Sequence, residues 1–115
     1  MNVYTNNILG LFELDMTGTV KYSRTSMSNI KADDSTKFIG RNFFDEVAPF
    51  KNVDEFRRRF RYFAQGSESA AKFDFTLQFD ERPLEVKVLL TQICEREYDS
   101  NRKLIIVDIR ESNRK

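Results

Sequence analysis

The side chains able to do chemistry in this chain of 115 residues are few, and their spacing limits what they can do. Arg57, Arg58, Arg59 and Arg61 form a dense basic run, Asp33 with Asp34 and Asp45 with Glu46 are adjacent carboxylates, Cys94 is the single thiol, and histidine is absent. Neighbouring residues on a helix do not share a face, and no third or fourth group converges on either carboxylate pair. Metal binding and acid–base work are therefore not expected of them, and they read as surface groups and caps. A base-reading surface needs polar or aromatic groups free beside its charges, and the aromatic residues near the arginines are committed to a core. The run reads as a solvated face, partly paired with Asp54, Glu55 or a partner's acids. Nothing basic immediately precedes Cys94, which is expected to be a small buried or semi-buried residue rather than a redox thiol. With no histidine, phosphate loop, zinc spacing or nucleophile elbow, an enzyme is not expected.

Nineteen basic residues against eighteen acidic ones leave a net charge of +1, so no global field steers the chain toward nucleic acid or anionic lipid. Apolar residues at 40% and charged ones at 32% are the composition of one globular domain. A lone cysteine cannot close an internal disulfide and fits a reducing compartment. With no signal-peptide pattern and no apolar run of about 18 residues, the expected location is the cytoplasm, without membrane insertion.

The elements that must position these groups follow from periodicity. Residues 1–7 read as a polar leader, and "ILGLFELDMTGTVKYS" as a β-hairpin turning at Gly18, with Phe12 and Leu14 on one face. From 24 to 49 the chain reads as short helical turns: Asp34 and Ser35 cap a helix through Phe38 that Gly40 ends, and Asn42 caps "FFDEV". "NVDEFRRRFRYFAQG" is a helix with Asn52 as cap, Phe56, Phe60 and Phe63 inward, the arginines outward and Gly66 as stop. Three strands follow. "KFDFTLQF" alternates strictly, "LEVKVLLTQIC" adds Leu89 and Ile93 on its outer face, and "KLIIVDI" is apolar on both faces, as a central strand is. Part of the outer face is expected to be covered by the leader or by a second copy of the domain. Two strands, helical turns and three strands make an α+β domain with an antiparallel sheet.

In that order "LDMTGTVKYS", "FIGRNFFDEVAP", "DEFRRRF", "FDFTLQF" and "LEVKV" resemble a PAS domain, and most closely the photoactive yellow protein group. The resemblance runs from Leu9 to Ile109 and is most specific over Ile39 to Pro49. It implies a PAS fold, a five-stranded antiparallel sheet with helices over one face enclosing a small ligand cavity, in a domain spanning residues 8–111. "VDIRE" is similar to the segment by which such domains signal onward, which implies an exit at Asp108, Ile109 and Glu111, with residues 112–115 leading toward an effector; Arg110 departs from the usual threonine.

The departures bear on function. The thioester cysteine of photoactive yellow protein falls on Phe50, and the tyrosine and glutamate that hold its phenolate fall on Ser23 and Met27. Tyr22 is one place early, which points it to the opposite face. Neither p-coumaric acid nor covalent flavin chemistry is expected, since the light-oxygen-voltage domains need a cysteine where this chain has Phe43. Haem is not expected without histidine. By transfer, Phe12, Ser23, Met27, Phe43, Phe44, Val47, Ala48 and Phe50 surround the cavity, a lining suited to a fatty acid or other hydrophobe. Preferred on the residues alone is that Met27 and Phe50 fill that space. The resemblance thus implies a non-catalytic sensory or regulatory module of a bacterial-type signalling pathway. It answers to an apolar ligand or to dimer and partner contacts; the alternative is a purely structural interaction module with a filled core, a homodimer through Leu89 and Ile93 or the companion of an effector protein.

Overall fold

The strict alternation of residues 73–79 and the both-sided apolarity of 104–109 sort the strands into an edge and a centre. The computed structural model describes residues 9–25, 38–48, 50–97 and 100–112. Strands β1 (Gly10–Leu14), β2 (Val20–Thr25), β3 (Ala70–Gln78), β4 (Pro83–Glu97) and β5 (Ser100–Glu111) form one antiparallel sheet in the order β2-β1-β5-β4-β3. The strand apolar on both faces is the central one, as its pattern requires. β4 and β5 are longer than the apolar pattern alone suggests: they pair from Val86↔Glu111 to Glu97↔Ser100, past the last apolar residues of either strand.

Helix α1 (Val53–Gln65) crosses the inner face and buries Phe56, Phe60 and Phe63 at 0, 1 and 5% exposure. Positions i, i+4 and i+7 lie on one stripe, and burying each ring contributes roughly 1.5–3 kcal/mol. The expected cap does not form. Asn52 makes no side-chain bond to the helix; its amide nitrogen donates to the Thr76 carbonyl at 2.8 Å and its Oδ1 accepts from the Gln78 amide at 3.1 Å. The side chain closes the end of edge strand β3 instead, because two peptide groups of a lateral strand compete for it there. At the other end Gly66 is extended (φ −89°, ψ −176°), so the helix stops without a left-handed cap. Its last carbonyls are met from the sheet: Gln92 Nε2 donates to Phe63 O at 2.8 Å and Lys103 Nζ to Ala64 O at 2.9 Å.

The β1–β2 turn is built on Asp15. Its Oδ1 accepts from the Thr17 hydroxyl (2.7 Å) and from the Thr17 and Thr19 amides (2.9 Å each), while Gly18 takes φ +94°. Partial burial by itself raises this carboxyl, but the bonds from Thr17 and Thr19, with Lys21 alongside, outweigh it and hold the group below its ordinary range. A carboxyl lower in the folded than in the unfolded chain adds stability that is complete above the unfolded value, about 4. That contribution disappears as pH falls through the lower folded value. Asp15→Asn keeps the Oδ1 acceptor and cannot titrate, so its urea midpoint is expected to fall less than the parent's between roughly pH 5 and 2. Parallel acid profiles for the two proteins would refute this.

Cys94 departs from expectation: it is exposed, not buried. It lies four residues beyond Leu90 on β4, opposite Lys103, whose ammonium reaches the end of α1, so no apolar group of the helix covers the thiol. The leader, the 34–38 helix apart from Phe38, and Asp33 and Asp34 lie outside the described residues.

Candidate functional site

Residues 40–48 take their shape from two backbone devices. Gly40 has φ +89° and donates to Val20 O, and Val20 in turn donates to Arg41 O, which fixes the segment along the edge of β2. Asn42 then caps the next turn as expected, its Oδ1 accepting from the Phe44 and Asp45 amides at 3.0 and 3.1 Å, with Glu46 Oε2 accepting from the Asn42 amide. The turn is a single π-helical one over Phe43–Val47, closed by Ala48 N–H donating to Phe43 O at 2.8 Å. π-Turns of this length are uncommon and recur at functional sites. Asn42 Nδ2 also donates to Thr17 O at 3.0 Å, and Phe43 N–H to Gly18 O at 2.8 Å, tying the π-turn to the β1–β2 turn.

Asn42→Ala is expected to cost about 1–2 kcal/mol, the loss of a cap. Asn42→Asp retains the acceptor oxygen and loses only the donor to Thr17, so chemical denaturation should rank it between the parent and Asn42→Ala. Equal losses in the two variants would move the effect from the cap to the Thr17 link.

The π-turn aims Phe43 and Phe44 into the core at 0 and 4% exposure. Phe43 meets Phe12 edge-on with ring centroids 4.9 Å apart, Phe44 at 5.3 Å and Phe56 at 6.1 Å; Phe44 lies 5.0 Å from Phe60, and Phe50 5.8 Å from Phe56. Such spacings are the preferred tilted and edge-to-face contacts of aromatic rings, with atoms rather than ligand-sized space between them. Phe50, where the resemblance puts the thioester cysteine, is 3% exposed. Val47 and Ala48 are half-buried against the cluster. Ser23 on β2 pairs with Phe12 on β1 and is 4% exposed, while Tyr22 points the other way at 46%, as the one-residue offset requires. No buried side-chain polar atom among the described residues lacks a hydrogen-bond partner. Met27 lies outside the described residues.

Of the expected lining, the structure brings Phe12, Ser23, Phe43, Phe44 and Phe50 together. It adds Phe56 and Phe60, whose 3.6-residue spacing marks them as inward without saying what they would meet. Not all four arginines simply face solvent. Arg57 lies over the Phe44 ring (5.5 Å) and pairs with Asp45 and Asp54, and Arg59 lies over Phe73 (4.7 Å). Arg57 and Asp45 are twelve residues apart, and nothing in local spacing signals that pair. Of the outer-face residues, Leu89 is 37% exposed and Ile93 half-buried. At the exit Asp108 accepts from Arg110, Ile109 is 1% exposed, and Ser112 N–H still donates to Glu85 O. No three His, Cys, Asp or Glu side chains converge as a metal site among the described residues, and no described helix is long and apolar enough to cross a membrane.

No protein-family model matches the chain. It is 32% identical over 79 residues to the photoactive yellow protein of Halochromatium salexigens and 30% identical over 79 residues to that of Rhodothalassium salexigens. Each match covers 69% of this chain and 63% of the relative, so the chain spans less than two thirds of the length of these curated relatives. Among solved structures it superposes on the photoactive yellow protein domain of the sensor histidine kinase Ppr from Rhodospirillum centenum. The TM-score is 0.58 at 28% identity, covering 93% of this chain and 92% of that one. Similarity in sequence over these residues and in fold over nearly the whole chain identifies this protein as a homologue of photoactive yellow protein with the fold of a PAS domain.

Proposed function

We propose that this domain is a non-catalytic regulatory module of a bacterial-type signalling pathway that responds to contacts with protein partners, with an aromatic core in the place where its homologues are built to hold a ligand. The observation that carries this reading is the ring-to-ring packing of Phe12, Phe43, Phe44, Phe56 and Phe60, all at 4% exposure or less. A thiol is missing at Phe50 and at Phe43, so neither thioester nor flavin-adduct chemistry has a nucleophile there. A partner that binds one arrangement of α1 over the sheet better than another shifts the population toward it, and the shift leaves through Asp108, Ile109 and Glu111 at the end of β5. The cytoplasm is the proposed setting, which suits an exposed free thiol at Cys94.

Native mass spectrometry of the protein as purified, with an absorption spectrum, tests the reading. The bare chain mass or its double, without a visible band, is the expected result. A stoichiometric fatty acid or other hydrophobe would overturn the filled core and make the domain a ligand sensor, and a bound flavin or haem would overturn it in favour of a cofactor.

A further inference from the structure

The two lateral strands of the sheet are closed differently. On β2 the segment 40–42 pairs at Val20. On β3 the Asn52 side chain and the Lys51 amide occupy Thr76 and Gln78, and these bonds show that the even-numbered peptide groups of β3 face away from β4. By the alternation of an edge strand, Ala70, Lys72 and Asp74 present their N–H and C=O groups to the same open side. No described residue pairs with them there. Beside this open length, between α1 and β3, runs a groove of about 920 Å³ whose apolar residues are Tyr62, Phe63, Ala71, Phe73 and Leu90. Tyr62 is 82% exposed, unusual for a ring of that size. Arg58 and Arg59 stand on the helix side and Lys72 on the strand side, none with an ion-pair partner among the described residues. Glu55 and Glu68 are the groove's acidic residues.

We propose that this groove takes an extended acidic peptide segment of a partner protein, added to the sheet as a sixth strand along Ala70–Asp74. Strand addition supplies what the open edge lacks: main-chain hydrogen bonds to three residues' worth of peptide groups. Alternate apolar side chains of the guest then fall against Tyr62, Ala71 and the part of Phe73 that Arg59 leaves uncovered, and its carboxylates meet Lys72 on one side and Arg58 and Arg59 at the rim. Arg58, Arg59 and Lys72 stand against Glu55 and Glu68, and Asp74 at the end of the segment is already paired with Lys87, so the rim attracts an acidic guest and not a basic one. The inference rests on the reading of the domain as a partner-contact module, and names the surface that makes the contact. It also places the guest directly on α1, the helix that closes the phenylalanine core, so that occupancy bears on the packing of that core.

The test uses the whole chain, labelled with ¹⁵N, and a capped peptide of alternating Glu and Val as probe, with the corresponding Lys and Val peptide as control. The acidic peptide is expected to shift the amide signals of Ala70, Lys72 and Asp74 and of the α1 residues lining the groove, to protect those edge amides from hydrogen exchange, and to bind more weakly as salt is added. Lys72→Pro removes the edge N–H at a lateral position that tolerates proline. It should weaken binding about tenfold or more, whereas Lys72→Ala keeps the amide and should lose less. Arg58→Ala should lower affinity for the acidic peptide and flatten its salt dependence.

Unchanged edge amides in the parent, or equal binding of acidic and basic peptides, would overturn the proposal. So would edge protection that grows with protein concentration in the absence of peptide, because a second copy of the chain would then be the occupant. Failure here leaves the filled core standing, since that is judged by the mass of the purified protein; a bound hydrophobe would overturn the filled core without touching the exchange of the edge amides.

Discussion

Phe43→Ala is expected to lower the unfolding free energy by about 3–5 kcal/mol. The ring is fully buried and makes close contacts with Phe12, Phe44 and Phe56 from three different elements. Removing it forfeits both the transfer of the ring from water and the contacts of the neighbours left facing a void. Those neighbours are rings held by a sheet, a π-turn and a helix, and cannot collapse without moving one of them. A domain of this size has about 5–15 kcal/mol in total, so the variant should be partly unfolded at physiological temperature. The chemical-denaturation midpoint measures the loss. The same variant tests the filled core: the space it opens should take up benzene or a similar apolar probe and recover part of the lost stability, while the parent should not respond. A loss below about 1 kcal/mol would mean that the rings enclose slack rather than filling the interior.

Gly18→Ala is expected to cost about 2–4 kcal/mol, and Gly40→Ala clearly less, although the two glycines have nearly the same backbone angle, φ +94° and +89°. A β-carbon at either position meets the same backbone strain, roughly 1–2 kcal/mol for a residue other than glycine. Around Gly40 nothing stands within 4 Å of that carbon. At Gly18 it would sit 2.9 Å from two carbons of the Phe44 ring. Phe44 cannot swing away, because it is wedged against Phe60 and Phe43 and overlain by the Arg57 guanidinium. Nor can the turn lift, since the Gly18 carbonyl holds the Phe43 amide. Urea unfolding of the two variants separates steric from conformational cost, and Phe44→Leu combined with Gly18→Ala should recover part of the difference through coupling of the two sites. Equal losses at Gly18 and Gly40 would remove the contact from the account.

Much of the fold was legible because the period of side chains is a local property. The alternation of Phe73, Phe75 and Leu77, the 3.6-residue spacing of Phe56, Phe60 and Phe63, and the apolarity of 104–109 each assign a face; the structure buries Phe75, Leu77, the three helix rings and Ile105, Val107 and Ile109, and leaves Phe73 and Ile106 half-buried. The order of elements and the motif over Ile39 to Pro49 were enough to point to the PAS fold, and the offset of Tyr22 from Ser23 was enough to turn one outward and the other inward. Asn52 shows where that reading stops. Its place before a helix makes it a cap by local chemistry, and only the arrival of β3, more than twenty residues later in the chain, offers its amide better partners.

The sequence by itself determined which side chains are present to do chemistry at the site: phenylalanine at 43 and 50, no histidine, one cysteine far along β4. Those absences hold in any conformation, because a nucleophile that is not in the chain cannot be folded into place. Tertiary structure alone decided that Phe12, Phe43, Phe44, Phe56 and Phe60 pack ring against ring, that Arg57 covers Phe44 while holding Asp45, and that Ala70, Lys72 and Asp74 are left open at the edge. Each of these depends on distance between residues remote in sequence, and such distances are set by the joint packing of all five strands and the helix rather than by any segment's own preference.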